Sequence, residues 1–123
     1  MLRNILPIAF ALLLTACAPP KMYNWGNYEQ GLYKTYKDPT ESAALRDHLE
    51  EQVVFVQTNG QKMAPGLYAE LGTFYLEAGD KEKARKYYAF ERDTWPESTV
   101  LMTGLINSID KQDTSTTKKK VSK

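Results

Sequence analysis

Side chains that could carry out chemistry are few in this sequence. It contains one cysteine, Cys17, and one histidine, His48. His48 follows Asp47 and precedes Glu51 by three residues, so a His–carboxylate pair for proton transfer is one hypothesis. No motif places a serine or cysteine nucleophile near that pair, which favours a surface histidine beside acidic residues. A Cys/His metal site would need more ligands, so we predict no catalytic residue, no metal site and no cofactor.

The residues before Cys17 have the pattern of a secretory signal. Residues 1–4 carry one positive charge, Arg3, and residues 5–16 are almost purely apolar, with small residues just before the cysteine. Such an apolar run rises only about 18 Å as a helix, too little to cross a hydrocarbon core of about 30 Å. The segment is therefore predicted to be a targeting peptide and not a transmembrane helix.

The signal ends in Leu14-Thr15-Ala16-Cys17, which resembles a lipobox, the recognition site of the lipoprotein signal peptidase. The resemblance implies cleavage between Ala16 and Cys17, diacylglycerol on the cysteine sulfur and an acyl chain such as palmitate on the new N-terminus. An ordinary signal peptide followed by a chance cysteine is the alternative. Because Ala18 is not aspartate, the sorting rule for Gram-negative lipoproteins implies the periplasmic face of the outer membrane.

Length and charge limit the rest of the chain. Removing 16 of the 123 residues leaves 107, enough for one small domain with one core. Arg3 is one of the 16 basic residues, so the mature chain has 15 bases against 15 acids. A neutral chain lacks the basic face of a nucleic-acid binder. Nothing in the sequence indicates a small-molecule substrate, and a single cysteine permits no intrachain disulfide.

Composition divides the mature chain into three parts. Residues 17–23 contain the lipidated cysteine and a short linker, residues 24–111 a helical domain, and residues 112–123 a polar, lysine-rich tail predicted to be disordered. The linker between Cys17 and the domain reaches roughly 17 Å when extended. The lysine cluster near the C-terminus could touch anionic lipid, although a solubilising tail explains it better.

Two helices are predicted in the first half of the domain. Helical spacing over residues 24–37 places Trp25, Tyr28, Leu32 and Tyr36 on one stripe, and the first three are expected in the core. Tyr33 falls off that stripe and is a candidate partner-binding residue. The second helix covers residues 40–57. Thr40 is the expected N-cap, Leu45, Leu49 and Val53 the buried side, and residues 53–56 could alternatively form a strand.

The second half of the domain resembles a tetratricopeptide repeat. The match is Tyr68-x2-Leu71-Gly72-x2-Tyr75, then Ala84-x3-Tyr88, then Pro96. Tyrosine replaces Trp and Phe at two positions, and Glu91 departs from the usual small residue. Pro65 is expected to open the first helix of the pair, and Asp80 to cap the second. The resemblance implies an all-α fold: a short tetratricopeptide-like helical repeat array of four to five antiparallel helices.

A binding surface and a closing helix complete this interpretation. By analogy with peptide-binding repeats, the inner helix face would present Gly66, Ala69, Thr73 and Leu76, which could line a shallow groove or simply pack on the preceding helices. A last helix, predicted from Ser98 as N-cap to about Asp110, could cover the exposed edge of the array.

The mature chain as a whole, roughly from Cys17 to Lys111, resembles a family of small uncharacterised bacterial lipoproteins, a domain of unknown function. The resemblance rests on Tyr23-Asn24-Trp25-Gly26-Asn27-Tyr28-Glu29, Leu32-Tyr33, Ala64-Pro65-Gly66-Leu67-Tyr68-Ala69-Glu70-Leu71-Gly72, Glu91 and Trp95-Pro96-Glu97-Ser98-Thr99. Its members often occur beside a curli-transporter-like lipoprotein and a second predicted lipoprotein, which implies an envelope assembly. No catalytic residues are assigned in that family.

Three functions are compatible with these features. The first is a non-enzymatic adaptor, held in the membrane by lipid on Cys17, that binds another envelope protein or lipoprotein. The second is a pilot or regulator lipoprotein for a secretin or a cell-wall synthase. The third is a cell-wall enzyme, which would depend on His48.

Overall fold

The computed structural model describes residues 22–121, and in this range the protein is all-helical with no strand. Five α-helices follow one another within it: α1 Tyr28–Lys37, α2 Ser42–Thr58, α3 Leu67–Glu77, α4 Lys81–Thr94 and α5 Thr99–Val121. The predicted all-α class is confirmed. The predicted signal peptide, the cleavage site at Ala16 and lipidation at Cys17 lie outside the described residues.

Helix α1 begins four residues later than its apolar spacing predicted. The chain before it is held elsewhere: Asn24 pairs with the segment ahead of α3, its N–H donating to Lys62 O at 2.7 Å and its carbonyl accepting from Ala64 N at 2.9 Å. The side chain of Gln52 donates to Asn24 Oδ1 at 2.8 Å. These bonds keep residues 24–27 out of the helix and join the first helix layer to the middle of the chain.

Helix α2 follows a 3-10 turn, Pro39–Glu41. Thr40 was expected to cap it, and this is wrong. Asp38 caps the turn instead, because its carboxylate accepts from Thr40 N at 3.0 Å and from Thr40 Oγ1 at 2.7 Å. Leu45, Leu49 and Val53 are buried as predicted. Residues 53–56 are helical, so the alternative strand is excluded there.

Helices α3 and α4 form an antiparallel pair, because Tyr68 contacts Phe90 while Gly72 faces Tyr88 farther along. Asp80 caps α4 as predicted, accepting from Lys83 N at 3.1 Å. Pro65 does not open α3, which begins at Leu67. The residue between them, Gly66, has a φ of 89° and ends the preceding turn in a left-handed conformation that suits glycine.

Helix α5 corrects two predictions. Ser98 does not begin it: Pro96–Ser98 is a 3-10 turn and α5 starts at Thr99. The helix also continues past Asp110 to Val121, where we had expected a disordered tail. Ion pairs from α4 hold the helix as far as Asp113. Arg85 contacts Asp110 at 2.7 Å and also binds Asp113, and Lys81 contacts Asp113 at 2.7 Å.

The core lies chiefly between α2, α3, α4 and the start of α5. Its most enclosed side chains are Tyr88, Leu49, Met63, Leu71, Glu91 and Val56. Each helix packs against its neighbours in the chain, so α1 and α5 form the two ends of the stack. Helix α1 contributes no buried residue. Trp25 and Leu32, expected in the core, are exposed, and Tyr28 is only partly buried.

Candidate interaction surfaces

The four residues predicted to line a groove on α3 are differently placed. Ala69 and Leu76 are partly buried and pack against the core, whereas Gly66 and Thr73 are exposed. Thr73 Oγ1 donates to Ala69 O at 3.0 Å and lies 3.1 Å from Tyr88 Oη. A cavity between α1 and α2 and another beside Met22 and Lys62 are lined by none of these four. Their role in partner binding stays a prediction, with Gly66 and Thr73 as its accessible members.

Tyr33 lies on the surface, as its position off the predicted stripe indicated. It is 59% exposed, and Lys37 Nζ sits 4.8 Å from its ring centroid. Leu32, 44% exposed, lies four residues before Tyr36, 85% exposed, and Tyr33 lies three residues before Tyr36, so Tyr36 neighbours both on the helix surface. We call Leu32, Tyr33 and Tyr36 the α1 stripe. It is apolar and aromatic, and it faces away from α2.

The opposite side of α1 explains this orientation. Gly31 faces α2 so closely that an added Cβ would lie 2.7 Å from Leu45 Cδ1. Thr35, one turn on, is partly buried, and its hydroxyl donates to Gly31 O at 3.1 Å. Because small residues face α2, the two helices approach closely, and the exposed side chains Leu32, Tyr33 and Tyr36 project away from α2.

An aromatic row connects the segment before α1 to the end of α4. Tyr23 makes edge-on contacts with Trp95 at 5.6 Å and with Trp25 at 6.0 Å between ring centroids, and Trp25 stacks on Tyr28 at 6.2 Å. Lys62 Nζ lies 5.6 Å from the Trp95 ring. Tyr23, which we had assigned to the linker, therefore belongs to the folded domain, and these contacts fix where the chain enters it.

The start of α5 exposes a second apolar group. Val100 is 87% exposed and Leu101 is 63% exposed. One turn later, Gly104 has no atom within 4 Å of the position that a Cβ would occupy. The side of α5 that carries Met102 and Ile109 is buried, and α5 packs on α4. Val100 and Leu101 lie on the side turned away from α4. Val100 and Leu101 thus form an exposed apolar group on the terminal helix, which we call the α5 edge.

His48 lies where α1 meets α2, beside a cavity of about 230 Å³. Its Nδ1 is 3.8 Å from Glu51 Oε2, an ion-pair distance but too long for a hydrogen bond. Its Nε2 is buried and has no hydrogen-bond partner among the described residues. The cavity is lined by Asn27, Gln30, Gly31, Lys34, Glu41, Ala44, Leu45 and His48. That lining offers no hydroxyl or thiol nucleophile for His48 to activate.

A polar cluster between α2 and the α3–α4 pair was not predicted. Tyr75 Oη donates to Glu50, Lys83 Nζ lies 3.9 Å from Glu50 Oε1, and Lys83 also bonds Tyr75. Tyr75 stacks on Tyr87 at 5.6 Å. Burial, followed by the charge of Glu50, raises the pKa of Tyr87 to about 12. The cluster fixes α2 against the helix pair.

Other chemistry is sparse in the part of the chain that the structure describes. Residues 22–121 contain no group of three or more His, Cys, Asp or Glu side chains suited to a metal ion. No helix within that range has both the length and the apolar character needed to cross a bilayer.

Comparison with known proteins identifies the family of this chain. No match is found among the curated proteins or among the solved structures. A family described as "Domain of unknown function (DUF4810)" matches residues 22–105, which is most of the described chain. The chain belongs to this family, a domain of unknown function.

Proposed function

We propose that the protein is a lipid-anchored, non-enzymatic adaptor that binds another envelope protein at the membrane. In this proposal the chain is cut before Cys17 and held by lipid on that cysteine, on the periplasmic face of the outer membrane. The lipobox-like ending of the apolar segment supports the anchor. The cavity beside His48 is lined by no hydroxyl or thiol that the imidazole could activate, which supports binding over catalysis.

The fold of the adaptor is proposed to be a short tetratricopeptide-like array. Gly72 approaches α4 closely enough that a Cβ would lie 2.8 Å from Tyr88 and 3.3 Å from Ala84 O. Tyr68, Leu71 and Tyr75 are buried beside it. These are the positions at which a tetratricopeptide repeat needs small and aromatic residues, and α1–α2 would supply a degenerate first unit.

The open apolar edge of α5 carries the proposal. In a stack of helices the last one normally has a polar outer face, because no further unit covers it. Here Val100 and Leu101 are exposed beside Gly104, where a partner's backbone could approach closely. A helix of the partner would pack on this edge as the next layer of the stack and bury both side chains.

A photo-crosslinking residue in place of Val100 tests this in cells. The control carries the same residue in place of Gln57, an exposed polar position on α2. We expect a discrete crosslinked product from position 100 only, and its loss when Leu101→Ser is added. A curli-transporter-like lipoprotein in that product supports the adaptor, whereas a secretin or a cell-wall synthase supports the pilot or regulator alternative. Equal crosslinking from both positions, or none, would contradict the proposal.

A further inference from the structure

The α1 stripe has no covering layer in the described chain. Leu32, Tyr33 and Tyr36 project from the side of α1 that faces away from α2, and α1 buries none of its residues. Trp25, which is also exposed, lies just before the helix, and Met22 precedes it with 80% of its surface exposed. An amphipathic helix normally turns its apolar side inward. This one turns that side outward, at the end of the chain nearest Cys17.

We infer that the α1 stripe, together with Trp25, lies in the interfacial layer of the membrane to which the protein is anchored. This inference rests on the proposed lipid at Cys17. The membrane then covers the apolar side of α1, and the α5 edge at the other end of the stack is directed toward the periplasm.

The length of the chain between anchor and helix supports a membrane as the occupant. Five residues, from Cys17 to Lys21, precede Met22 and reach roughly 17 Å when extended. The aromatic row Tyr23–Trp95 and Trp25–Tyr28 then fixes the direction in which the chain enters the fold. So short a tether keeps the entry segment close to the headgroups and holds α1 within reach of them.

The side chains of the stripe suit the interface chemically. Tyrosine and tryptophan are enriched at bilayer interfaces because their rings are apolar and their polar atoms can stay among the headgroups. The charged groups of α1 nearly balance: Lys34 and Lys37 against Glu29, with Asp38 directly after the helix. Binding should therefore depend on the rings and on Leu32, and little on salt or on anionic lipid.

The α1 stripe is small, so it needs a tether to stay covered. A stable complex usually buries about 800 Å² on each partner, which three side chains of a ten-residue helix do not supply. A small apolar contact is nevertheless populated when a tether makes it intramolecular, because the effective concentration is then in the millimolar range. The lipid provides such a tether to the bilayer and to no other surface.

The test uses Trp25 as a depth reporter. The mature chain from Cys17 onward is coupled through its only cysteine to a maleimide lipid in phosphatidylethanolamine/phosphatidylcholine vesicles. Trp95→Phe leaves Trp25 as the single tryptophan, and brominated acyl chains serve as the quencher. In the control, Trp25→Phe and Trp95→Phe are combined with Glu82→Trp, which places the reporter on α4 at a side chain that is 89% exposed.

We expect strong quenching and a blue shift for Trp25, little of either for the control, and loss of most of the quenching when Leu32→Ser and Tyr36→Ser are introduced together. Equal quenching of both reporters, or of neither, overturns the inference. Concentration-dependent dimerisation that the same two substitutions abolish also overturns it, since a second copy would then be the occupant. Because the lipid is attached chemically, the quenching does not depend on whether Cys17 is lipidated in cells. A missing lipid in cells would therefore leave this result unchanged, whereas a stripe that does not enter the membrane would abolish the quenching of Trp25.

Discussion

Glu91, on α4, accepts a hydrogen bond of 2.7 Å at its Oε1 atom from the backbone N–H of Gly66, just before α3. The same oxygen accepts from Ser98 Oγ at 3.2 Å, in the turn that precedes α5. The side chain is almost completely buried, and Oε2 has no hydrogen-bond partner among the described residues. One carboxylate thus joins the start of α3, the end of α4 and the approach to α5.

Replacing Glu91 should therefore destabilise the domain. Glu91→Ala leaves a cavity and two donors without their acceptor, and each donor left unsatisfied in the interior costs about 1–3 kcal/mol. Glu91→Gln keeps an oxygen for Gly66 and should lower the free energy of unfolding less. Urea denaturation followed by circular dichroism measures both, with Ser98→Ala as the variant that removes only the weaker contact. Equal stability of the Ala and Gln variants would contradict this role.

Two glycines in helices should respond oppositely to alanine. At Gly72 a Cβ would lie 2.8 Å from the ring of buried Tyr88, so Gly72→Ala forces a packed aromatic residue and the α4 backbone to shift. Overpacking of this kind costs about 1–3 kcal/mol. At Gly104 a Cβ meets nothing within 4 Å, so Gly104→Ala should gain up to about 1 kcal/mol of helix propensity. Thermal unfolding should show Tm lowered in the first variant and raised in the second.

Alkaline pH should weaken the junction of α2 with the helix pair. Burial and the charge of Glu50 raise the pKa of Tyr87 from 10.0 to about 12 in the folded protein. A raised folded pKa means that the folded state holds the proton more tightly, so the associated stability is complete below pH 10 and is lost as pH rises toward 12. Tyr87→Phe should flatten the fall of stability between pH 10 and about 12. Tyr36→Phe, at an exposed ring, should leave the slope unchanged.

Acid should loosen the last part of α5. Hydrogen bonds from Lys81 and then Arg85 hold the pKa of Asp113 below its usual value of 3.8. A lowered folded pKa means that this stabilisation is present above the usual value and is lost as pH falls through the lowered one. Asp113→Asn at neutral pH should reproduce the effect, with faster amide exchange beyond Asp110. Glu97→Gln, in the turn before α5, is the control, and equal exchange in the two variants would show that the ion pairs do not hold the helix.

The helical pair in the middle of the chain was predictable because its signals are local. Gly72 opposite Tyr88 and the Asp80 cap depend on residues within about one hairpin of each other, and spacing along the sequence specifies them. The extent of α5 was not predictable in this way. Lys81 and Arg85 lie 32 and 28 positions from Asp113, and no pattern near the C-terminus indicates that they meet.

The α1 stripe shows why surfaces are harder to predict than helices. Helical spacing identifies which side chains share a side of α1, but not whether another element covers that side. Gly31 and Thr35, on the opposite side, are the signal that could have indicated the correct orientation, because small residues permit close helix packing. Glu91 was recognised as unusual in the sequence, yet its partner Gly66 is 25 positions away.

The lipid anchor is tested by replacing its attachment site. Cys17→Ser is expressed behind an ordinary cleavable secretory signal, so that no uncleaved apolar segment can hold the protein in the membrane. We expect the folded domain in the soluble periplasmic fraction, because a small interfacial contact without a tether binds only weakly and reversibly. Ala18→Asp with the native signal is the matched control: lipidation is retained, and the protein should stay membrane-bound but shift to the inner membrane. If the cleaved Cys17→Ser protein stays with the membrane after high-salt washing, a tether other than the lipid dominates and the proposed anchor is wrong.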